Sequence, residues 1–159
     1  MKTTVVYYSL DGNCALIAEE IKSQLNAELI SLHTKDEKKR SKIGNFFWGG
    51  GMVFFNKKPP LKPYKFNAAA YDLIIFGAPV WAGQPAPPVN TFISETGIKG
   101  KKAAVFICHG GGKGKALNKF KELLGESEVI SETEFKEPSK CNIDEIRKQV
   151  EEWVKGFKG

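Results

Sequence analysis

The strongest constraint on this chain is an alternation of period. Short, almost continuously apolar runs are each followed by a turn rich in glycine or proline and then by a helical pattern. Thr3 to Tyr8 is the first such run, β-branched and aromatic, and it reads as a strand covered on both faces, as in a parallel sheet. The polar turn Ser9-Leu10-Asp11-Gly12-Asn13 follows. Next comes a stretch with Ala15, Leu16, Ile17, Ala18, Ile21 and Leu25 on or near one helical face and Glu19, Glu20, Lys22 and Gln24 on the other. Ala27 to Leu32 reads as the second strand. The chain therefore opens as a βαβ unit.

The same alternation continues. Tyr71 to Gly77 is the third predicted strand and Ala78-Pro79-Val80-Trp81-Ala82-Gly83 its loop. Pro85, Pro87 and Pro88 suit the start of a helix whose inward residues are Val89, Phe92 and Ile93. Lys102 to Cys108 is the fourth strand. It runs into His109-Gly110-Gly111-Gly112-Lys113-Gly114 and a helix over Lys115 to Leu124. Glu128 to Phe135 differs from the rest. Val129, Ser131, Thr133 and Phe135 alternate with Ile130, Glu132 and Glu134, a half-polar pattern suited to a sheet edge. Pro138 and Ser139 break the chain, and Asn142 or Asp144 can cap a last helix from Ile143 to about Phe157. Five strands alternating with helices predict a three-layer α/β fold.

The connection between strands two and three is the irregular part. Lys38-Lys39-Arg40 reads as a solvated face. Phe46 to Phe55 is expected to be at least partly a helix crossing the sheet, the alternative being a docking or dimer patch. A long structureless loop inside a compact domain is disfavoured. The proline-rich exit is Pro59-Pro60-Leu61-Lys62-Pro63.

At 159 residues, with 42% hydrophobic and 26% charged residues, the composition is that of a folded globular domain, here expected to be one domain over 1–159. Cys14, Cys108 and Cys141 form no C-x-x-C pair, and His33 and His109 are the only histidines, so neither a disulfide framework nor a metal site is expected. The amino terminus reads as a strand, and no apolar run reaches the roughly 18 residues of a membrane span. A reducing, cytoplasmic setting and no membrane partner are expected. The net charge of +6 is compatible with nucleic acid, an anionic surface or an anionic cofactor. Nucleic acid is not expected, since no basic run joins exposed aromatics or a reading helix.

Ligands of open parallel α/β sheets bind at the carboxyl ends of strands. Three loops qualify here: 9–14, 78–83 and 108–114. Loop 9–14 opens a helix, so its free amides and the positive end of the helix dipole suit a phosphate. Gly12 permits close backbone approach, and Ser9 and Asn13 offer side-chain hydrogen bonds. It is not a Walker A loop: near Lys115 the pattern fails at His109, and Ala116 replaces the required hydroxyl. No loop spells G-x-G-x-x-G. On local chemistry alone, a helix-capping turn with a routine glycine fits equally well.

Tyr8-Ser9-Leu10-Asp11-Gly12-Asn13-Cys14 resembles the flavodoxin-family phosphate loop, S/T-x-T-G-N-T/S. Gly77-Ala78-Pro79-Val80-Trp81-Ala82-Gly83 and the proline-rich helix start after it are similar to that family's second flavin loop. Cys108-His109-Gly110-Gly111-Gly112 falls where the third loop lies. The resemblance spans nearly the whole chain. It implies a five-stranded parallel sheet of order 2-1-3-4-5, helices on both faces, and FMN bound non-covalently. Ser9, Leu10, Asp11, Gly12, Asn13 and Cys14 would surround the phosphate, chiefly through backbone amides. Ala78, Pro79, Val80, Trp81, Ala82 and Gly83 would line the isoalloxazine, with Trp81 stacking on it. Cys108, His109, Gly110 and Gly111 would border its pyrimidine side.

Three departures stand out. Asp11 stands where the family often has threonine, Cys14 replaces a hydroxyl with a weaker donor, and the third loop lacks the aromatic that covers the outer flavin face in many flavodoxins, unless His109 or a residue of 46–55 takes its place. His109 reads as a loop surface residue, with a proton-donating role as the alternative. Cys14 and Cys108 read as small buried or half-buried residues and not nucleophiles, so no side chain is expected to be catalytic. The resemblance implies an electron carrier that works with a redox partner protein or a small-molecule acceptor, as a monomer or weak dimer. The alternatives are a small FMN-dependent NAD(P)H:quinone-type oxidoreductase, or a binding module that has lost flavin chemistry. Flavodoxins are commonly acidic, so a chain at +6 is expected to favour acidic partners.

Overall fold

A computed structural model describes residues 1–35 and 58–157. The expectations for Lys38-Lys39-Arg40 and for Phe46 to Phe55 lie outside these residues. Strand β1 (Thr3–Tyr8) leads through a short turn into helix α1 (Asn13–Leu25) and strand β2 (Glu28–Leu32). Strand β3 (Leu73–Trp81) turns into a two-residue strand, β4 (Gln84–Pro85), and helix α2 (Pro87–Thr96). Strand β5 (Lys102–His109), helix α3 (Ala116–Leu124), strand β6 (Glu128–Lys136) and helix α4 (Ile143–Lys155) complete the chain.

The main sheet runs β2-β1-β3-β5-β6 with every neighbour parallel, which is the expected five-strand order. In register, Val5 lies opposite Leu29 on one side and Ile75 on the other, and Ile75 lies opposite Ala104. The unbroken hydrophobicity of β1, β3 and β5 has its cause here: both faces of these strands are covered. On one face Val6, Tyr8, Ile74, Phe76, Val105 and Ile107 pack under α2 and α3. On the other, Val5, Leu73, Ile75, Ala104 and Phe106 pack under α1 and α4. Among the described residues strand β6 has one sheet neighbour, β5, and it keeps the predicted alternation, with Phe135 buried and Ile130 and Glu132 exposed.

Helix boundaries follow local chemistry. The pyrrolidine rings of Pro87 and Pro88 occupy the first helical positions of α2, where a missing N–H is harmless. The Asn142 carboxamide accepts the Asp144 N–H at 2.8 Å and starts α4, whose Ile146, Val150 and Val154 recur on the buried face. That helix stops at Lys155, short of Phe157, but the Phe157 ring still packs edge-on against Trp153 at 5.0 Å.

One correction concerns β3. The sequence places Ala78 to Trp81 in a loop, yet the strand continues through them. The chain then folds back at Ala82-Gly83 so that β4 pairs antiparallel with β3, Val80 opposite Pro85 and Trp81 opposite Gln84. The described end of the crossover is also fixed. Leu61 bridges Thr34 antiparallel, Pro60 O accepts the Lys35 N–H at 2.9 Å, and Phe66 packs against Tyr71 and Phe92. Among the described residues no helix is long and apolar enough to cross a membrane.

Candidate functional site

Because β1, β3 and β5 are adjacent and parallel, the turns after them meet at one edge of the sheet. The first turn begins at half-buried Ser9, whose Oγ accepts the Ala15 N–H at 3.2 Å inside the first turn of α1. Asp11 accepts from Asn13 twice, from the backbone N–H at 3.3 Å and from Nδ2 at 3.1 Å. The Asp11 carboxylate is thereby engaged in an exposed Asx turn. Gly12 sits at the helix N-cap with φ of 93°, a left-handed conformation that a side chain would strain, and a Cβ there would meet nothing within 4 Å. Among the described residues no acceptor takes the N–H groups of Gly12 or Cys14. The turn thus presents backbone donors at the positive end of a 13-residue helix.

Of two further side chains of this loop, Asn13 gains a partner the sequence does not suggest and Cys14 is buried as expected. Asn13 Oδ1 accepts the Ser139 N–H at 2.9 Å, tying the first loop to the turn before α4. Cys14 is wholly buried under α1 beside Cys108, and its thiol faces the sheet. Burial, then the hydrogen bond with Cys108, pushes the Cys14 thiol well above its ordinary range. Of Cys14, only the backbone N–H belongs to the loop's donor set.

The second turn is shorter than expected. Ala78 and Pro79 are buried in β3, Val80 and Trp81 are half-buried at its end, and Ala82-Gly83 alone make the turn. Their φ values of 48° and 73° are those of a type I′ hairpin, unusual for an alanine, which bears a left-handed penalty of about 1–2 kcal/mol. Just before the hairpin, the Trp81 ring makes a T-shaped contact with Tyr8 at 5.6 Å between centroids and 90° between planes.

The third turn carries His109, Gly110 and Gly111 beyond buried Cys108. The Gly112 N–H donates to His109 Nδ1 at 3.1 Å, and His109 Nε2 lies 2.9 Å from Glu134 Oε2 on β6. The imidazole is engaged at both nitrogens and its side chain is 10% exposed, so the expected loop surface residue is in fact a packed one. Lys113 Nζ reaches the second Glu134 oxygen at 3.1 Å. The lysine first, and the histidine after it, hold the Glu134 carboxyl below the usual carboxylate range. Gly110 and Gly111 are exposed, and among the described residues no acceptor takes their N–H groups.

Loops two and three also touch. The Lys115 N–H donates to Gly83 O at 3.0 Å, and a Cβ on Gly114 would stand 2.7 Å from the Gly83 Cα. Glu134, Ser139 and Gly114 are site-supporting residues that the sequence did not single out. The only signal available was Gly114 itself, one more glycine than a simple turn requires.

No family model and no curated protein matches the chain. Solved structures do. A flavoprotein from Lactobacillus acidophilus in complex with FMN superposes with a TM-score of 0.76 at 24% identity, over 96% of this chain and 98% of that one. The apo form of the flavoprotein from Lactobacillus acidophilus gives a TM-score of 0.67 at 27% identity, over 84% and 91%. Two-electron reduced Megasphaera elsdenii flavodoxin gives 0.62 at 20% identity, over 97% and 99%. The fold is flavodoxin-like.

Proposed function

We propose that the chain binds FMN non-covalently at this edge of the sheet and passes electrons through it. The observation that carries the reading is the donor set. Among the described residues, unclaimed N–H groups at Gly12 and Cys14 cap α1, unclaimed N–H groups at Gly110 and Gly111 stand on the third loop, and Trp81 is half-buried at the end of β3. The first pair suits a phosphate, because oriented amides at a helix N-terminus favour a dianion. The second pair suits the carbonyl-rich pyrimidine edge of an isoalloxazine, and the Trp81 indole suits its face. Asp11 is compatible with a phosphate nearby, since its charge is turned to solvent and taken up by Asn13. Solved flavoproteins of the same fold, one of them in complex with FMN, support the same cofactor.

Bound flavin supplies one- and two-electron chemistry; the protein supplies position, hydrogen bonds and field. The net charge of +6 favours an acidic redox partner over the basic ones that acidic flavodoxins meet. A reducing cytoplasm suits the exposed free thiol of Cys141. A second reading, turnover of NAD(P)H with a quinone, is favoured by the all-glycine run 110–112, which has no side chain to lay over a flavin.

The direct test is an absorbance spectrum of the purified protein followed by titration of the apoprotein with FMN. Flavin bands and saturable binding at micromolar FMN are expected. Colourless protein that ignores added FMN overturns the reading. If FMN binds, reduction only through a partner protein supports a carrier, and turnover of NAD(P)H with a quinone supports the enzyme.

A further inference from the structure

The third loop is glycine-rich, and a run of Gly110-Gly111-Gly112 has little intrinsic preference for one conformation. Something outside the run must select its shape. At its base the His109 carbonyl accepts the Glu137 N–H at 2.9 Å, and at its far end Lys115 is tied to Gly83. Between these anchors the Gly112 N–H has a side-chain acceptor, His109 Nδ1. A neutral imidazole has one protonated and one bare nitrogen. Accepting at Nδ1 therefore requires the proton on Nε2, and Nε2 lies 2.9 Å from the Glu134 carboxylate. The choice of tautomer is set by the carboxylate, because an ionised oxygen can only accept.

We infer that Glu134 is a positioning residue for flavin binding: its carboxylate takes the His109 Nε2–H, which frees Nδ1 to hold the Gly112 amide and so shapes the third loop. This rests on the FMN reading above. Glu134 touches no ligand itself. It stands on the edge strand, 25 residues from His109 in sequence, and acts through the histidine. Its second oxygen meets Lys113, itself a loop residue, so a plain ion pair between Lys113 and Glu134 is the competing account of the same carboxylate. The two accounts separate by substitution. Glu134→Gln keeps an acceptor for Nε2–H and discards the charge; Glu134→Ala discards both; Lys113→Met removes only the ion pair.

The experiment uses the full chain in two arms. In the apoprotein, nitrogen NMR of the His109 ring and hydrogen exchange of the Gly112 amide report the tautomer and the loop bond. The Nε2–H tautomer and a protected Gly112 amide are expected in the wild type and in Glu134→Gln and Lys113→Met, and both are lost in Glu134→Ala. In the second arm FMN is titrated. Glu134→Ala is expected to bind about tenfold more weakly, the scale of one lost partly buried hydrogen bond to a charged group, with Glu134→Gln and Lys113→Met within about threefold of wild type. The proposal is overturned if Glu134→Ala keeps the tautomer and the Gly112 protection, or loses them yet binds FMN like the wild type. It is equally overturned if Lys113→Met weakens FMN as much as Glu134→Ala does. A wild type that shows the expected tautomer but ignores FMN defeats the cofactor reading instead, so the two failures are distinguishable.

Discussion

At the scale of single residues, Trp81 and Tyr64 each make a checkable claim. The Trp81 indole is half-buried at the end of β3 and packs at right angles to the Tyr8 ring. Trp81→Ala is expected to weaken FMN about tenfold or more and to change the visible flavin spectrum, since aromatic contact adds about 0.5–1.5 kcal/mol beyond the buried area. A fluorescence titration measures it, and unchanged affinity with an unchanged spectrum would remove Trp81 from the site. Tyr64 tests the crossover instead. Its phenol pKa is pushed up to about 12, first by burial and then by its hydrogen bond to Glu95 at 2.8 Å. A raised acid pKa means that the fold favours the neutral phenol. This contribution is complete below the unfolded tyrosine value near 10 and is lost as pH rises through about 12. Phenolate absorbance should therefore show a late step that Tyr64→Phe abolishes. Tyr71, also raised, by its bond to Glu28, should keep its own.

At the scale of elements, the strands were legible and the turns less so. Apolar continuity marked β1, β3 and β5 because burial on both faces leaves a direct trace in composition, and the polar alternation of β6 marked the edge for the same reason. The continuation of β3 through Pro79 was not legible, since proline usually ends a strand. Here Pro79 is buried opposite Cys108 in the sheet, and its carbonyl accepts the Ala86 N–H. Nor does Ala82-Gly83 carry the Asn-Gly or Asp-Gly signal of a type I′ turn. The tie from His109 to Glu134 spans two elements and has no local signature at all.

One close packing was likewise invisible. Gly77 lies in β3 beneath the Phe106 ring, and a Cβ there would stand 2.1 Å from the ring's Cζ. Gly77→Ala should destabilise by about 3 kcal/mol, the upper range of overpacking. In the Phe106→Leu background, where the ring is gone, the same substitution should cost clearly less. Urea unfolding of the four proteins closes the cycle, and additive losses would show that the ring is not the obstacle.

At the scale of the whole molecule, topology made the site legible and charge makes the partner testable. A parallel sheet puts the carboxyl ends of its strands on one edge, so three loops distant in sequence converge without any pairwise signal between them. The same edge carries exposed lysines, Lys113 and Lys115 on the third loop, Lys136 at the end of β6 and Lys140 in the turn before α4. Lys113 and Lys140 are paired with Glu134 and Glu137, whereas Lys115 and Lys136 have no ion pair among the described residues. Such a rim should accelerate encounter with an acidic electron carrier at low salt, and the advantage should fade as the Debye length falls from about 30 Å at 0.01 M to about 10 Å at 0.1 M. Stopped-flow reduction of the FMN-loaded protein by an acidic carrier should slow about tenfold between these salt concentrations. Reduction by a small neutral reductant should not change. Lys115→Glu with Lys136→Glu should remove most of the salt dependence, whereas Lys22→Glu on α1, at the far end from the loops, should change the rate by no more than about twofold. Equal effects from both sets would assign the steering to net charge alone and leave the loop edge without a docking role.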